Sequence, residues 1–400
     1  MKNREIGIMS PIFDKAVDRR ATESMKWGVA GRPGDEDVIP MWVADMDFEA
    51  PSAVVEALRR RADHGVFGYP EVPPSFWRAA GSWLERRHGW SVRDEWMALT
   101  PGIVAALNFC VRAFTGPGDG VLIQTPVYHP FYYTVENNGR RVVRNPLRFD
   151  GRRYAMDLDD LRRRAVAEGA RLLILCSPHN PVGRVWTREE LEAIGRLAVE
   201  LDLTVVSDEI HHDLVFRGHR HRIFAALSPE LDARTVTCVA PSKTFNIPGL
   251  STAVVVASNP ALLKAFEDER ERSGFELGQV FGLVGFEAAY AHGADWLDAL
   301  LPYLEANVDL MERFIKERLP RLRLVRPEGT YLALLDARGL GLDPAEVAGF
   351  FLREAKVRFS DGILFGPELA GFVRVNFGCR RALLVEALER IERAVNGIPT

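Results

Sequence analysis

Cysteine is scarce in this chain, with 4 in 400 residues. Cys110, Cys176, Cys238 and Cys379 are widely spaced and three of them sit in apolar or strand-like contexts, so reduced, buried thiols in a cytoplasmic protein are expected. Long apolar runs are missing as well: stretches such as Ala253-Val-Val-Val-Ala257 fall far short of the roughly 18 residues that suggest a membrane span. The opening Met1-Lys-Asn-Arg-Glu-Ile leads into no sustained apolar segment, which predicts no secretory signal. Positive charge is not in excess. With 51 Lys and Arg against 55 Asp and Glu, the formal net charge is -4 and the two signs are interspersed, so nucleic acid is not an expected partner. There is no low-complexity linker and no internal repeat with a period of roughly 20 to 50 residues.

What remains is an ordinary globular composition in a chain long enough for a two-domain α/β enzyme. Apolar residues spaced three and four apart predict helices over 52–62, 75–87, 103–114 and 188–200. Short strand-like runs lie between and after them, at 121–124, 172–175, 204–207, 236–239 and 252–256. Alternation of the two types predicts an α/β fold, a mostly parallel sheet sandwiched by helices. After about residue 290 the pattern changes to a long helix over 296–318, strands near 322–325 and 331–335, and a last helix over 381–395. The expected domains are therefore a large one over 46–290 and a smaller α+β one over 291–400.

Lys243 is the most informative residue. It follows a β-branched run, within Ala240-Pro-Ser-Lys-Thr-Phe-Asn-Ile-Pro-Gly-Leu250, and Asp208 closes another apolar run, Leu203-Thr-Val-Val-Ser-Asp208. Ligand sites of open α/β sheets lie at that edge. An amine that can form a Schiff base and a carboxylate that can pair with a pyridinium nitrogen are what pyridoxal phosphate requires of a protein. Taken singly, the two residues would also suit a surface lysine and a helix-capping aspartate. A phosphate would need donors, and the backbone N–H groups of Gly102, Ile103 and Val104 at a predicted helix start can supply them. Gly116-Pro-Gly-Asp-Gly120 follows a helix and precedes a strand, so it reads as a turn. His211, His212 and Asp213 lack a metal-ligand spacing, and no metal is expected there.

Asn180, Asp208, Lys243 and Arg374 stand in the order of fold-type I pyridoxal-phosphate enzymes, the aspartate aminotransferase superfamily, which the chain resembles. Four motifs narrow the resemblance to MalY/PatB-type C–S lyases, which include cystathionine β-lyases. They are Met41-Trp-Val-Ala-Asp-Met-Asp-Phe48, His64-Gly-Val-Phe-Gly-Tyr-Pro70, Ser207-Asp-Glu-Ile-His211 and Ser242-Lys-Thr-Phe-Asn-Ile-Pro-Gly249. Tyr128 is expected to begin a helix after the strand at 121–124; the resemblance implies that it stacks on the pyridine ring, that Asn180 contacts the cofactor, and that Ser242 shares the phosphate. It places Trp42, Asp45 and Arg374 at the substrate, the planar fork of Arg374 suiting a carboxylate. His211 would orient Asp208, or be a satisfied surface histidine. The segment 1–45 would pack with the small domain, and Tyr69 would reach the phosphate of a second subunit, which implies a homodimer with shared active sites.

Three departures from the family pattern stand out. Ala240 and Ser251 occupy positions where aspartate aminotransferases carry a phosphate-binding serine and arginine. Asp361 replaces part of a common proline-glycine pair, and Gly274-Phe-Glu-Leu-Gly-Gln-Val-Phe281 follows no common pattern. The expected substrate is a small amino acid, L-cystathionine or another cysteine S-conjugate, cleaved to a thiol, pyruvate and ammonia. Transamination remains open. So does oxidative decarboxylation and deamination of a bulky S-cysteinyl conjugate, as in lincosamide-pathway relatives, and so does a regulatory protein that keeps the cofactor as a structural ligand. The absence of a basic or winged-helix extension before Phe13 weighs against a self-contained transcription factor.

Overall fold

The computed structural model describes residues 11–29 and 37–398. The stretch 1–6, whose sequence predicts no secretory signal, lies outside the described residues. Two compact units divide the chain: one holds residues 1–49, 295–327 and 331–400, the other residues 50–294 and 328–330. No helix among the described residues is long and apolar enough to cross a membrane.

The second unit is built on a seven-stranded sheet in the order Met97–Thr100, Ala253–Val256, Thr235–Val239, Thr204–Asp208, Ala170–Cys176, Gly120–Thr125, Arg141–Pro146. The last five run parallel. Except in the edge strand Arg141–Pro146, their side chains are almost all buried on both faces, which is why those four read as largely apolar, β-branched runs. One face packs Val121, Ile123, Leu172, Ile174, Val206 and Val236 against the apolar stripe of helix Ile103–Phe114, whose Ala106, Leu107, Cys110 and Val111 recur at helical spacing. Helices Ser52–Asp63, Pro74–His88, Ile103–Phe114 and Arg188–Glu200 all form where periodicity predicts them. Arg188–Glu200 starts at a capping box, the Thr187 hydroxyl accepting from Glu190 N–H while the Glu190 carboxylate accepts from Thr187 N–H.

The sheet is mostly parallel as expected, with one antiparallel strand, and one helix start differs from the sequence reading. Strand Ala253–Val256 is antiparallel to both neighbours. The connection from Val239 holds only turns and the 3-10 helix Pro248–Leu250, and without a crossover helix the chain returns beside the strand it left. Tyr128 does not begin the next helix, which runs Pro130–Glu136, because Pro130 occupies the first helical position where its missing N–H costs nothing.

The first unit contains a four-stranded antiparallel sheet in the order Arg323–Val325, Leu332–Asp336, Phe372–Asn376, Ser360–Asp361, with helices Ala294–Arg318 and Arg381–Asn396. Its N-terminal segment adds a short parallel pair, Ile39–Pro40 beside Val357–Arg358. Phe13 is buried with Phe48, Trp296 and Tyr303 at ring separations of 5.1, 5.4 and 5.4 Å. Lys26, also fully buried, is neutralised by Asp47 at 2.8 Å, and Asp47 in turn accepts from Trp27 Nε1 at 2.8 Å.

Candidate active site

Four neighbouring parallel strands of the second unit each carry one candidate residue to the same sheet edge. In sheet order, Thr235–Val239 leads to Lys243, Thr204–Asp208 ends on Asp208, Ala170–Cys176 leads to Asn180, and Gly120–Thr125 leads to Tyr128. Carboxyl ends of parallel strands are where open α/β sheets bind ligands. The edge strand Met97–Thr100 lies two antiparallel steps from Thr235–Val239, so it points the same way and delivers Gly102 to that edge.

Gly102 sits just before helix Ile103–Phe114 with φ 147°, a backbone conformation that L side chains rarely adopt. A Cβ built there would meet nothing within 4 Å. The first N–H groups of a helix have no partner within it, and Gly102 has no side chain to cover them. Open space facing uncapped donors at the positive end of a helix suits an anion such as a phosphate.

Asp208 is 4% exposed. Among the described residues the only hydrogen bond to its carboxylate comes from Ile210 N–H at 3.2 Å. Burial pushes this carboxyl from 3.8 up to about 7, and the Ile210 N–H and the positive charge of Lys243 offset only part of that. A carboxylate so poorly compensated calls for a cationic partner, and a protonated ring nitrogen would supply one. Lys243 is half-buried in the turn after its strand, as is Ser242. Asn180 is 5% exposed, its N–H directed to Cys176 Sγ at 3.4 Å. Tyr128 is half-buried against the apolar core under the sheet edge. This donor set fits pyridoxal phosphate: an amine, a buried acid, an aromatic face and an uncapped helix start.

His211 and Tyr69 are the other second-unit candidates. His211 is 2% exposed, three residues past Asp208, and its carbonyl accepts from Leu214 N–H. Tyr69 is 95% exposed, beside the exposed Val66 and Phe67. Ala240 is buried, while Ser251, where an arginine would stand in aspartate aminotransferases, is exposed with φ 44°.

Sequence reasoning missed a buried cluster behind the Lys243 turn. His88, His212 and Asp213 have potential ligand atoms within 4.8 Å of one another. The reading that dismissed a metal looked for ligand spacing along one segment, whereas His88 arrives from helix Pro74–His88. Asp213 accepts from Trp83 Nε1 at 3.1 and 3.2 Å, from His88 Nε2 at 2.8 Å and from the Thr244 hydroxyl at 2.8 Å, a hydrogen-bonding hub. Nearby, Glu209 is fully buried and accepts from Ser207 Oγ at 2.7 Å, His221 Nε2 at 2.7 Å and Phe224 N–H at 3.0 Å.

The first unit holds the candidates for the substrate. Arg374, 4% exposed on strand Phe372–Asn376, donates through Nη2 to the Trp42 carbonyl at 2.9 Å and to Ser360 Oγ at 3.3 Å. Its guanidinium lies over the Phe365 ring, 4.6 Å from the centroid. Asp361 caps the short helix Gly362–Phe365 by accepting from Ile363 N–H at 3.1 Å, so the residue that departs from the family pattern shapes the turn carrying Phe365. The Trp42 ring stacks under Arg358 at 4.1 Å. Asp45 is held by Arg19 through two hydrogen bonds of 3.2 and 2.7 Å, which occupy both oxygens of its carboxylate.

A family model described as aminotransferase class I and II matches residues 36–391. Cystathionine β-lyase PatB of Bacillus subtilis (strain 168) is 44% identical over 385 residues, which span 96% of this chain and 100% of that protein. Among solved structures, cystalysin from Treponema denticola, which contains pyridoxal 5′-phosphate, matches with a TM-score of 0.94 and 32% identity over 97% of this chain and 99% of its own. The pyridoxal-phosphate-bound C–S lyase from Staphylococcus hominis matches with a TM-score of 0.89 and 34% identity over 96% of this chain and 97% of its own.

Proposed function

We propose that this chain, which belongs to the class I and II aminotransferase family, is a pyridoxal-phosphate-dependent carbon–sulfur β-lyase that converts L-cystathionine, or another cysteine S-conjugate, to a thiol, pyruvate and ammonia. The observation that carries the reading is the convergence of Lys243 with the under-compensated, buried Asp208 at one sheet edge. Pyridoxal phosphate, when bound, supplies an electron sink for charge developing at the substrate Cα.

The residues divide the work by chemistry. Lys243 anchors the cofactor and, once an amino acid has taken its place, is the base for the Cα proton. Asp208 keeps a proton on the ring nitrogen, because an adjacent opposite charge favours the charged form. Backbone N–H groups of Gly102, Ile103 and Val104 and the Ser242 hydroxyl hold the phosphate. Tyr128 would stack on the ring, Asn180 would contact the cofactor, and His211 would support Asp208 from the same segment. Arg374 binds the substrate carboxylate with Trp42 behind it, which fixes the direction of Cβ. Thiols have a pKa of about 8.5, so sulfur leaves Cβ readily as thiolate.

Tyr69, almost fully exposed beside Val66 and Phe67, completes the phosphate site of a neighbouring subunit in an isologous homodimer. Residues 46–290 serve as the large cofactor-binding domain, and 1–45 with 291–400 as the small one. Four free, buried cysteines suit the cytoplasm.

The family model's description favours a second reading, transamination, which uses the same residues. Against it stand Ala240 and Ser251, which leave the phosphate without the cation that aspartate aminotransferases provide. Rates with cystathionine alone and with aspartate plus 2-oxoglutarate separate the two. The lyase reading expects turnover of cystathionine alone to be the faster, and turnover confined to the keto-acid pair would overturn it.

A further inference from the structure

The turn carrying Lys243 is closed by Phe245 N–H to the Pro241 carbonyl at 2.9 Å and by Ile247 N–H to the Ser242 carbonyl at 3.0 Å. The next residue, Thr244, is fully buried and donates its hydroxyl to Asp213 Oδ2 at 2.8 Å. Asp213 stands on the segment that follows Asp208. Burial pushes its carboxyl up, but His212, His88 and Thr244 outweigh that and hold it well below the usual carboxylate range. The acceptor is therefore ionised at working pH, which makes the hydrogen bond roughly twice as strong as a neutral one.

The donors at this hub come from different places. Trp83 and His88 both belong to helix Pro74–His88 and tie Asp213 to the fold. His212 Nε2 lies 3.3 Å from Asp213 Oδ2, with Nδ1 at 2.5 Å from the Glu209 carbonyl. The buried Tyr290 also senses this charge. Among these donors Thr244 alone belongs to the Lys243 turn. Strands Thr204–Asp208 and Thr235–Val239 already fix Asp208 opposite Cys238, five positions before Lys243. The Thr244–Asp213 bond is a second tie between the same two segments, beyond the end of the sheet ladder.

We propose that Asp213 and Thr244 are positioning residues for Lys243, holding its turn against the Asp208 segment so that amine and carboxylate keep one separation throughout the reaction. This inference rests on the pyridoxal-phosphate reading of the site. It assigns the hub a role in aiming the amine, over and above stabilising the fold.

The test uses full-length protein with cofactor and three variants: Thr244→Val, which keeps the shape and loses the hydroxyl; Thr244→Ser, which restores it; and Trp83→Phe, which removes one donor to the hub while keeping the Thr244 hydroxyl and an aromatic ring against Phe245. The readouts are the pH midpoint of the bound cofactor's visible band, the rate of cofactor attachment to Lys243 in stripped protein, trapped by borohydride and located by peptide mass, the melting temperature, and kcat and KM with L-cystathionine. Thr244→Val is expected to shift the midpoint and slow attachment by on the order of tenfold, with kcat falling and KM nearly unchanged. Thr244→Ser should recover both, and Trp83→Phe should lower the melting temperature while keeping the wild-type midpoint. Should Thr244→Val not fold, Thr244→Ala carries the same readouts. A wild-type midpoint and attachment rate in Thr244→Val, or a midpoint shift in Trp83→Phe as large as in Thr244→Val, overturns this inference alone. Wild-type protein that attaches no cofactor at Lys243 overturns the proposed function with it.

Discussion

The backbone N–H of Tyr128 donates to the carbonyl of Asn180 at 3.0 Å. The loops leaving strands Gly120–Thr125 and Ala170–Cys176 are thereby joined beyond the sheet edge by a main-chain bond, beside the contact of His179 Nε2 with the Pro126 carbonyl at 2.9 Å. Both side chains are set by this bond and neither takes part in it.

Asn180→Ala should therefore leave the two loops in place and remove only the amide. The melting temperature of cofactor-free protein is expected to stay close to that of wild type, since the main-chain bond between the loops survives the substitution. Affinity for pyridoxal phosphate, measured by titrating the visible band, should fall by roughly tenfold, the weight of about one hydrogen bond. A variant that melts much earlier would mean that the side chain holds the loops.

Asp208 links stability to pH. Its carboxyl is pushed up to about 7 in the folded chain against an ordinary 3.8, so the folded state holds a proton that the unfolded chain has released. Stability is accordingly lost as pH rises between about 4 and 7 and stays low above that, by on the order of a few kcal/mol at most. Asp208→Asn removes the penalty. Stripped of cofactor, the variant should melt above wild type at pH 8, with the gap closing by pH 5, while with cofactor its turnover should be severely reduced. An equal gap at both pH values would show that burial does not perturb this group.

Arg374→Lys keeps the charge and loses the planar fork. Because the arginine already spans the Trp42 carbonyl and Ser360 Oγ, a lysine cannot satisfy those acceptors and a substrate carboxylate together. The expected result is a rise in KM of roughly ten- to a hundredfold with a smaller change in kcat. An unchanged KM would remove Arg374 from the substrate.

The shared site is open to complementation. Lys243→Ala and Tyr69→Phe are each expected to be impaired, the first by loss of the visible cofactor band and of nearly all turnover, the second by weaker cofactor binding. Mixed after mild dissociation, they should form hybrids that regain activity, since one site per hybrid carries both native residues. A fully active monomer by light scattering, or hybrids no better than their parents, would rule the arrangement out.

Much of this was legible because strand ends carry the chemistry. A buried parallel strand is a β-branched run with an abrupt polar end, and Asp208 and the turns bearing Lys243 and Asn180 stand at such ends. Strand direction was not legible: Ala253–Val256 is buried on both faces and reads the same in either sense, so its antiparallel pairing appears only once the short connection is seen. The Asp213 hub was hidden for a different reason, since His88 lies 125 residues away in sequence and no local pattern announces a partner that far off. The two hydrogen bonds from Arg19 to the Asp45 carboxylate span 26 residues and are equally invisible in the motif around Trp42. Asp361 looked like a departure from the family pattern, and in the structure it caps the turn that sets Phe365 under Arg374.

The central claim is that Lys243 and Asp208 serve carbon–sulfur bond cleavage. Its most direct test is one mass balance: purified protein with pyridoxal phosphate, L-cystathionine as the sole amino acid and no keto acid, with every product identified and counted by mass spectrometry. The account predicts homocysteine, pyruvate and ammonia in equal amounts, sustained over many turnovers and absent with Lys243→Ala. Intact cystathionine that reacts only after a keto acid is added, without thiol release, would contradict it.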